Sequence, residues 1–210
     1  MDSGSYTDSY KPDRDILCLD FANTLNWRTS DQPHDWLDSY SNLVSWGQVM
    51  DLLSEKEAGR LRQFATQSTQ TASEVLQRAI TLREAIYNLL SAYSAGMPLK
   101  EADLNALNPE LLIASQHRAL ACTPEGCDWR WDDDPQKLDR MLWPVAQSAA
   151  DLLASEVLDR VGECQGEGCG WLFLDTSKNK TRRWCSMDDC GNREKARKFY
   201  RRKKKKLEAT

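Results

Sequence analysis

The chain has 210 residues, of which 40% are hydrophobic and 29% are charged, and its formal net charge is −4. This composition is ordinary for a soluble globular protein, and no stretch approaches the ~20 apolar residues that a membrane span needs. The length predicts one full domain with a small appended one. The first residues lack the basic and apolar regions of a signal peptide, so we expect a cytoplasmic protein with reduced thiols.

The net charge conceals a division along the chain. Residues 171–210 contain 14 Lys or Arg and 5 Asp or Glu, whereas residues 1–170 contain 14 and 27. A basic end on an acidic protein indicates that this end meets a polyanion such as a nucleic acid. A solvated tail would explain residues 203–206 alone, but not the arginines that lie among residues expected to fold.

The N-terminal part is predicted to be mostly helical. Residues 1–14 are polar and are predicted to form a flexible arm. Residues 16–25 are apolar and fit either a buried strand or a short helix. Ser54 and Glu57 form a capping-box pattern, which marks the start of a helix. Helical spacing predicts helices over residues 43–53, 54–64, 71–95 and 100–107.

The pattern changes after these helices. Residues 118–131 alternate around a Pro-Glu-Gly turn and predict a β-hairpin. Residues 134–162 then predict one long helix with a kink at Pro144. Cys122 and Cys127 flank the hairpin tip, which suggests a metal or redox pair. Because no further cysteine pair or histidine completes a site there, we interpret them as incidental thiols.

Two Cys-x4-Cys pairs, Cys164 with Cys169 and Cys185 with Cys190, precede the basic C-terminus. Such pairs, separated by a short insert, suit a closed tetrahedral Zn²⁺ site with four thiolates. Residues 171–174 and 182–184 are predicted to pair as strands, and a helix is predicted over residues 192–204. Each Cys-x4-Cys pair is predicted to form a tight turn, or knuckle, that presents two thiolates to the metal. The predicted order of knuckle, hairpin, knuckle and helix is treble-clef-like.

This segment resembles the CGNR zinc finger, in which the finger follows a larger ABATE domain described for stress-induced transcription regulators. The resemblance is carried by residues 164–175, 182–187 and Cys190-Gly-Asn-Arg193 in the finger, and by residues 17–24, 82–86 and the hairpin upstream. The resemblance implies a bacterial regulator that binds DNA.

Candidate contact residues follow from the charge and the resemblance. The finger's candidates for phosphate or base contacts are Arg182, Arg183, Arg193, Arg197, Lys198, Arg201 and Arg202. Asp20, Asn23 and Arg83 are polar residues within apolar runs, and buried polar groups require partners. They form either a structural network, in which Arg83 pairs with a carboxylate and Asp20 or Asn23 caps a helix, or the floor of a small-molecule effector pocket.

The sequence therefore predicts an α+β protein. A mostly helical domain with a β-hairpin, residues 15–160, precedes a four-cysteine zinc finger, residues 161–204, and a basic tail, residues 205–210. We expect a homodimeric regulator that binds DNA and Zn²⁺, with no membrane association. An RNA- or ribosome-associated zinc protein is the alternative, because charge does not separate DNA from RNA. An enzyme is not expected, because no catalytic triad, phosphate loop or HExxH motif is found.

Overall fold

The computed structural model describes residues 16–132, 134 and 136–208. The predicted arm, residues 1–14, lies outside this part of the chain. The described residues form mostly helices with small antiparallel strand pairs, and the four paired cysteines lie together near the C-terminus. The predicted fold class is therefore confirmed.

The α-helices among the described residues are α1 (Leu17–Ala22), α2 (Tyr40–Val49), α3 (Glu55–Gln67), α4 (Thr69–Ser94), α5 (Glu101–Gln116), α6 (Leu142–Leu153) and α7 (Asn192–Glu208). The strands pair as β1 (Leu25–Asn26) with β2 (His34–Asp35), β3 (Arg118–Thr123) with β4 (Gly126–Trp131), and β5 (Val161–Glu163) with β6 (Leu172–Leu174). None of the described helices combines the length and apolar character that a bilayer-crossing segment needs.

Helix α4 organises the core of the N-terminal domain. Its apolar residues recur at helical spacing, and Ala79, Leu82, Ile86 and Leu89 are completely buried. The helix packs against α5 and also contacts α1, α2, α3 and α6. It also contacts β5 and β6, so the same helix supports the start of the finger.

The capping box at the start of α3 is confirmed. The Ser54 hydroxyl accepts a hydrogen bond from the Glu57 amide, and the Glu57 carboxylate accepts one from the Ser54 amide, with an N···O distance of 2.8 Å. These bonds satisfy backbone donors that the first turn of a helix leaves without partners. The Ser54 hydroxyl also donates to the Glu57 carboxylate at 2.6 Å, and this bond, together with that from the Ser54 amide, holds the pKa of Glu57 below its usual value.

Three sequence-based expectations change in the structure. The ambiguous segment 16–25 contains helix α1, and the helix predicted over residues 100–107 continues to Gln116. The helix predicted over residues 134–162 is wrong in extent, because α6 covers only Leu142–Leu153. Pro144 lies in the first turn of α6, where a missing N–H costs no helical hydrogen bond, so no kink is required.

The interpretation of Cys122 and Cys127 as free thiols is also wrong. The two residues are direct partners in the β3–β4 register, and their sulfurs are joined in a disulfide. The Pro-Glu turn occupies both positions between the strands, so the hairpin brings these two residues opposite each other. Their Cα atoms are 3.9 Å apart.

Candidate metal centre and nucleic-acid interface

The four predicted metal ligands converge on one point between two short structural units. Cys164 follows β5 and Cys169 precedes β6, so the first knuckle closes this hairpin. Cys185 and Cys190 enclose the turn that leads into α7. All four sulfurs lie within 4.8 Å of one another, and all four residues are buried. Neighbouring sulfurs are 3.7 Å apart for Cys169 and Cys185 and 3.6 Å apart for Cys185 and Cys190.

These separations fit a tetrahedral metal. Four thiolates about 2.3 Å from a central Zn²⁺ would place their sulfurs about 3.8 Å from one another. A buried cluster of sulfurs without nitrogen or oxygen ligands favours zinc or another thiophilic metal over Ca²⁺ or Mg²⁺. Four thiolates around Zn²⁺ carry a net charge of −2, so nearby positive groups stabilise the site.

The surroundings of the sulfurs are shaped for the metal. The Gly166 amide donates to the Cys164 Sγ at 3.5 Å. A Cβ atom on Gly166 would lie only 2.9 Å from the Cys190 Sγ, so the knuckle passes the cluster without room for a side chain. An Arg193 guanidinium nitrogen lies 2.9 Å from the Cys190 Sγ, where its positive charge offsets that of the thiolates.

The finger has a small core of its own. Phe173 is buried beside the four cysteines, and Trp171 and Trp184 pack against this cluster. The predicted pairing of residues 171–174 with 182–184 is wrong, because β6 pairs with β5. The first knuckle connects β5 to β6, so β5 is the nearer partner for β6 and takes the place expected for residues 182–184.

Arg182 connects residues 182–185 to the end of β6. Its guanidinium donates to the carbonyl oxygens of Leu174 and Trp184, both at 3.0 Å, and to that of Cys185. It also lies over the Phe173 ring, 4.7 Å from the centroid. Charge predicts a nucleic-acid contact for Arg182, but its guanidinium is bonded to three carbonyl oxygens inside the finger.

Two further predicted contact residues have partners within the chain. Arg193 bonds to Asp189 and the Cys190 sulfur and lies 4.3 Å from the ring centroid of Trp27. Arg197 pairs with Glu194 at 3.0 Å and Glu167 at 2.5 Å. Both arginines therefore hold the start of α7 against the first knuckle and the N-terminal domain.

The remaining candidates lie at the surface. Arg183 is exposed and bonds to Gln165 at 2.8 Å. Lys198, Arg201 and Arg202 are exposed on α7. Lys195, which was not predicted, shares one face with Lys198 and Arg202, because residues three and four positions apart are neighbours on a helix. This spacing could have identified Lys195 once the helix was predicted.

Asn23 connects the N-terminal domain to the finger. Its side-chain oxygen accepts from the Leu172 amide at 2.8 Å, and its side-chain nitrogen donates to the Leu172 carbonyl at 2.9 Å. Two backbone bonds continue this contact, from the Arg28 amide to the Cys169 carbonyl and from the Thr29 amide to the Gly168 carbonyl. The N-terminal domain therefore contacts the first knuckle directly.

Arg83 has carboxylate partners, as the structural interpretation expects. Its guanidinium contacts both oxygens of Asp35, at 2.5 and 2.9 Å, and one oxygen of Glu84 at 2.9 Å. Burial acts to raise the pKa of Asp35, but the bonds and charge of Arg83 outweigh it and hold that pKa below its usual value. Asp20 is buried in α1. The hydrogen bonds of Asn23 and Arg83 are thus made to protein groups.

Comparison with known families gives two matches. Residues 15–156 match the ABATE family, described as "Putative stress-induced transcription regulator". Residues 160–203 match the CGNR zinc finger. A search of curated proteins gives no match.

Proposed function

The chain belongs to the ABATE family and carries a CGNR zinc finger, and on this premise we propose that it is a zinc-dependent transcription regulator that binds DNA. The observation that carries the proposal is the position of α7. This basic helix begins at the metal cluster and is exposed at every residue from 198 to 204. A metal-anchored cationic helix with an unobstructed surface is suited to the major groove of DNA, which is wide enough for one α-helix.

The proposed contact surface is the outer part of α7, formed by Lys195, Lys198, Arg201, Arg202 and Lys203, which are all exposed. Arg183 extends it onto the finger. Its charge favours phosphate contacts, and the acidic N-terminal part repels the polyanion and leaves the finger to meet it. Arg193 and Arg197 support this surface by holding the start of the helix.

The N-terminal domain is proposed to pair subunits and to alter the position of the finger when a small effector binds. Asn23 and the backbone bonds to the first knuckle provide the mechanical connection for such a change. An effector would act through different affinities for two arrangements of this connection. The proposal is of a cytoplasmic binding protein and not of an enzyme.

One observation favours single-stranded nucleic acid as a second candidate, which would fit an RNA- or ribosome-associated protein. Phe199 and Tyr200 are 64% and 68% exposed among the basic residues of α7. Exposed aromatic rings within a cationic surface are typical of proteins that stack unpaired bases.

The test is a binding titration of the zinc-loaded chain with labelled duplex DNA, single-stranded DNA and RNA over a range of salt concentrations. A steep loss of affinity with salt is expected, because cationic contacts release counterions. Replacing Lys198 and Arg202 by Ala should weaken binding strongly. The matched control is the double variant Lys56→Ala with Arg60→Ala, which removes two exposed charges from α3.

The outcomes separate the candidates. Preference for duplex DNA, with sharp promoter peaks in a genome-wide binding profile, supports the regulator. Preference for RNA, lost when Phe199 and Tyr200 are replaced by Ala, supports the second candidate. Equal weakening by the α7 and α3 double variants would contradict both, because it would leave only nonspecific charge attraction.

A further inference from the structure

The β3–β4 hairpin has two chemically different faces. Alternation along the strands places Leu120 and Trp129 on one face together with the Cys122–Cys127 disulfide. The Arg118 guanidinium lies on the same face, 4.7 Å from the centroid of the Trp129 ring. Leu120 and Trp129 are 58% and 59% exposed, although they are large apolar residues. The opposite face carries Asp128 and Arg130, next to one another on β4. An exposed apolar face backed by charges is typical of an interaction surface rather than of a solvent-facing hairpin.

The backbone of β4 is available on its outer edge. Antiparallel partners alternate between hydrogen-bonded and closer, non-hydrogen-bonded pairs, and the 3.9 Å Cα spacing of Cys122 and Cys127 fits the closer kind. Leu120 and Trp129, two positions further along the strands, therefore also form a non-hydrogen-bonded pair. The N–H and C=O groups of Trp129 therefore point away from β3, toward an edge that no other described strand pairs.

The charges of β4 in one copy are complementary to those of β4 in a second copy. If a second copy pairs antiparallel about a two-fold axis at Trp129, Asp128 lies opposite Arg130 of the second copy, and Arg130 lies opposite its Asp128. Opposite charges directly across two strands stabilise the pairing. Within the described residues, neither Asp128 nor Arg130 has an ion-pair partner in its own chain.

Other registers match the charges less well. An axis at Trp131 would place Arg130 opposite Asp132 of the second copy, but Asp132 already bonds to His117 in its own chain, and Trp131 packs against the core. The same axis would place Asp128 opposite Asp134, and like charges across strands are destabilising. An axis at Cys127 would place Asp128 opposite a glycine and Arg130 opposite a proline. Pairing through the outer edge of β3 about Leu120 would bring alanines together and would pair no charges. The geometry therefore favours β4 with its axis at Trp129.

We propose that β4 is the dimerisation strand, through which two copies of this chain form a four-stranded antiparallel sheet. The two Trp129 side chains lie side by side on its apolar face, and two Asp128–Arg130 ion pairs lie on the opposite face. This proposal rests on the dimer included in the proposed function and assigns a surface to it. It removes an exposed strand edge, which proteins otherwise protect by charge, bulges or covering elements.

The first test is a charge exchange, measured by sedimentation equilibrium of the zinc-loaded full chain without nucleic acid. Asp128→Arg and Arg130→Asp should each weaken the dimer by about tenfold or more, because each places like charges opposite one another. An equimolar mixture of the two variants should recover dimers, because each chain then meets the opposite charge. The double exchange in one chain should also recover them.

The second test addresses the strand edge itself. Trp129→Pro removes an N–H that points outward, so it should abolish the dimer while the β3–β4 pairs remain. Leu120→Pro is the matched control, because it removes the equivalent N–H from the outer edge of β3 and should leave the dimer intact. Circular dichroism melts verify that each variant is folded. If both proline variants lose the hairpin, the charge exchange decides.

A wild-type chain that is monomeric at all concentrations would overturn the proposal, as would single charge variants that dimerise like the wild type or a mixture that fails to recover dimers. A monomeric wild-type chain would also remove the dimer from the proposed function, whereas a dimer unaffected by the charge variants would remove this surface alone. Duplex DNA binding by the wild-type chain, measured separately, would show that the proposed DNA binding stands in either case.

Discussion

The side-chain amide of Asn23 pairs with both backbone polar groups of Leu172, 149 residues further along the chain. The two hydrogen bonds imitate those of a neighbouring strand and fall on β6, the strand that leads away from the first knuckle. Since both residues are buried, water cannot replace either bond.

Replacing Asn23 by Ala should lower the free energy of unfolding by about 2–4 kcal/mol, because two buried backbone groups of Leu172 lose their partners. Asn23→Asp should also destabilise, since a carboxylate cannot donate to the Leu172 carbonyl. Urea unfolding of the zinc-loaded protein measures both. Asn105→Ala, at an exposed site on α5, is the control and should leave stability nearly unchanged. An Asn23→Ala variant as stable as the control would show that this connection is unimportant.

The cysteine cluster should bind one Zn²⁺ per chain, and Cys185→Ser should release it, because a closed structural site needs all four thiolates. We expect the variant to lose the helical signal of α7, whereas the N-terminal domain keeps a cooperative but lowered melt. Elemental analysis and circular dichroism report these changes. Replacing both Cys122 and Cys127 by Ser is the control and should retain the metal. Wild-type protein purified without chelators and lacking zinc would contradict this assignment.

Gly166→Ala should weaken zinc binding by about tenfold or more, since the new methyl would lie 2.9 Å from the Cys190 Sγ and displace a ligand. Competition with a chromophoric chelator measures the affinity. Gly59→Ala is a matched control, because no atom lies within 4 Å of the new Cβ on α3. That control should leave zinc affinity unchanged and stabilise the helix by about 0.5–1 kcal/mol. Equal zinc affinities for the two variants would contradict the close approach.

The Asp35–Arg83 pair should make stability depend on pH in the acid range. The pKa of Asp35 is lower in the folded than in the unfolded protein, so its contribution is present above the unfolded pKa of about 3.9 and is lost as pH falls through the folded value. Asp35→Asn should therefore destabilise at neutral pH and reduce the loss of stability below about pH 4. Urea midpoints at a series of pH values test this against Asp31→Asn, an exposed control. Identical pH profiles for Asp35→Asn and the wild type would exclude the link.

The elements that could be predicted from sequence are those whose signals are local. The apolar repeat of α4, the capping box at Ser54 and the paired cysteine spacings each lie within a few turns of chain, so each predicts its own structure. The finger cysteines converge because two knuckles of equal spacing can share one ion.

The expectations that changed depend on partners distant in sequence or on short elements. Strands β5 and β6 have three residues each, too few to show an alternating pattern, so β6 was paired with the wrong segment. The roles of Asn23 and Arg182 depend on backbone atoms of other segments. Charge alone cannot distinguish an arginine that bonds to internal carbonyls from one that faces solvent.

Because Asn23 contacts β6 directly, the resistance of the whole chain to proteolysis should depend on the supply of zinc. Folding of the knuckle is linked to metal occupancy, and a ligand that binds only the folded form stabilises it in proportion to its free concentration. Without metal, the N-terminal domain loses the partner of a buried amide and presents an opened edge to proteases. Under zinc starvation the steady-state amount of this protein should therefore fall through proteolysis, even if its synthesis continues unchanged.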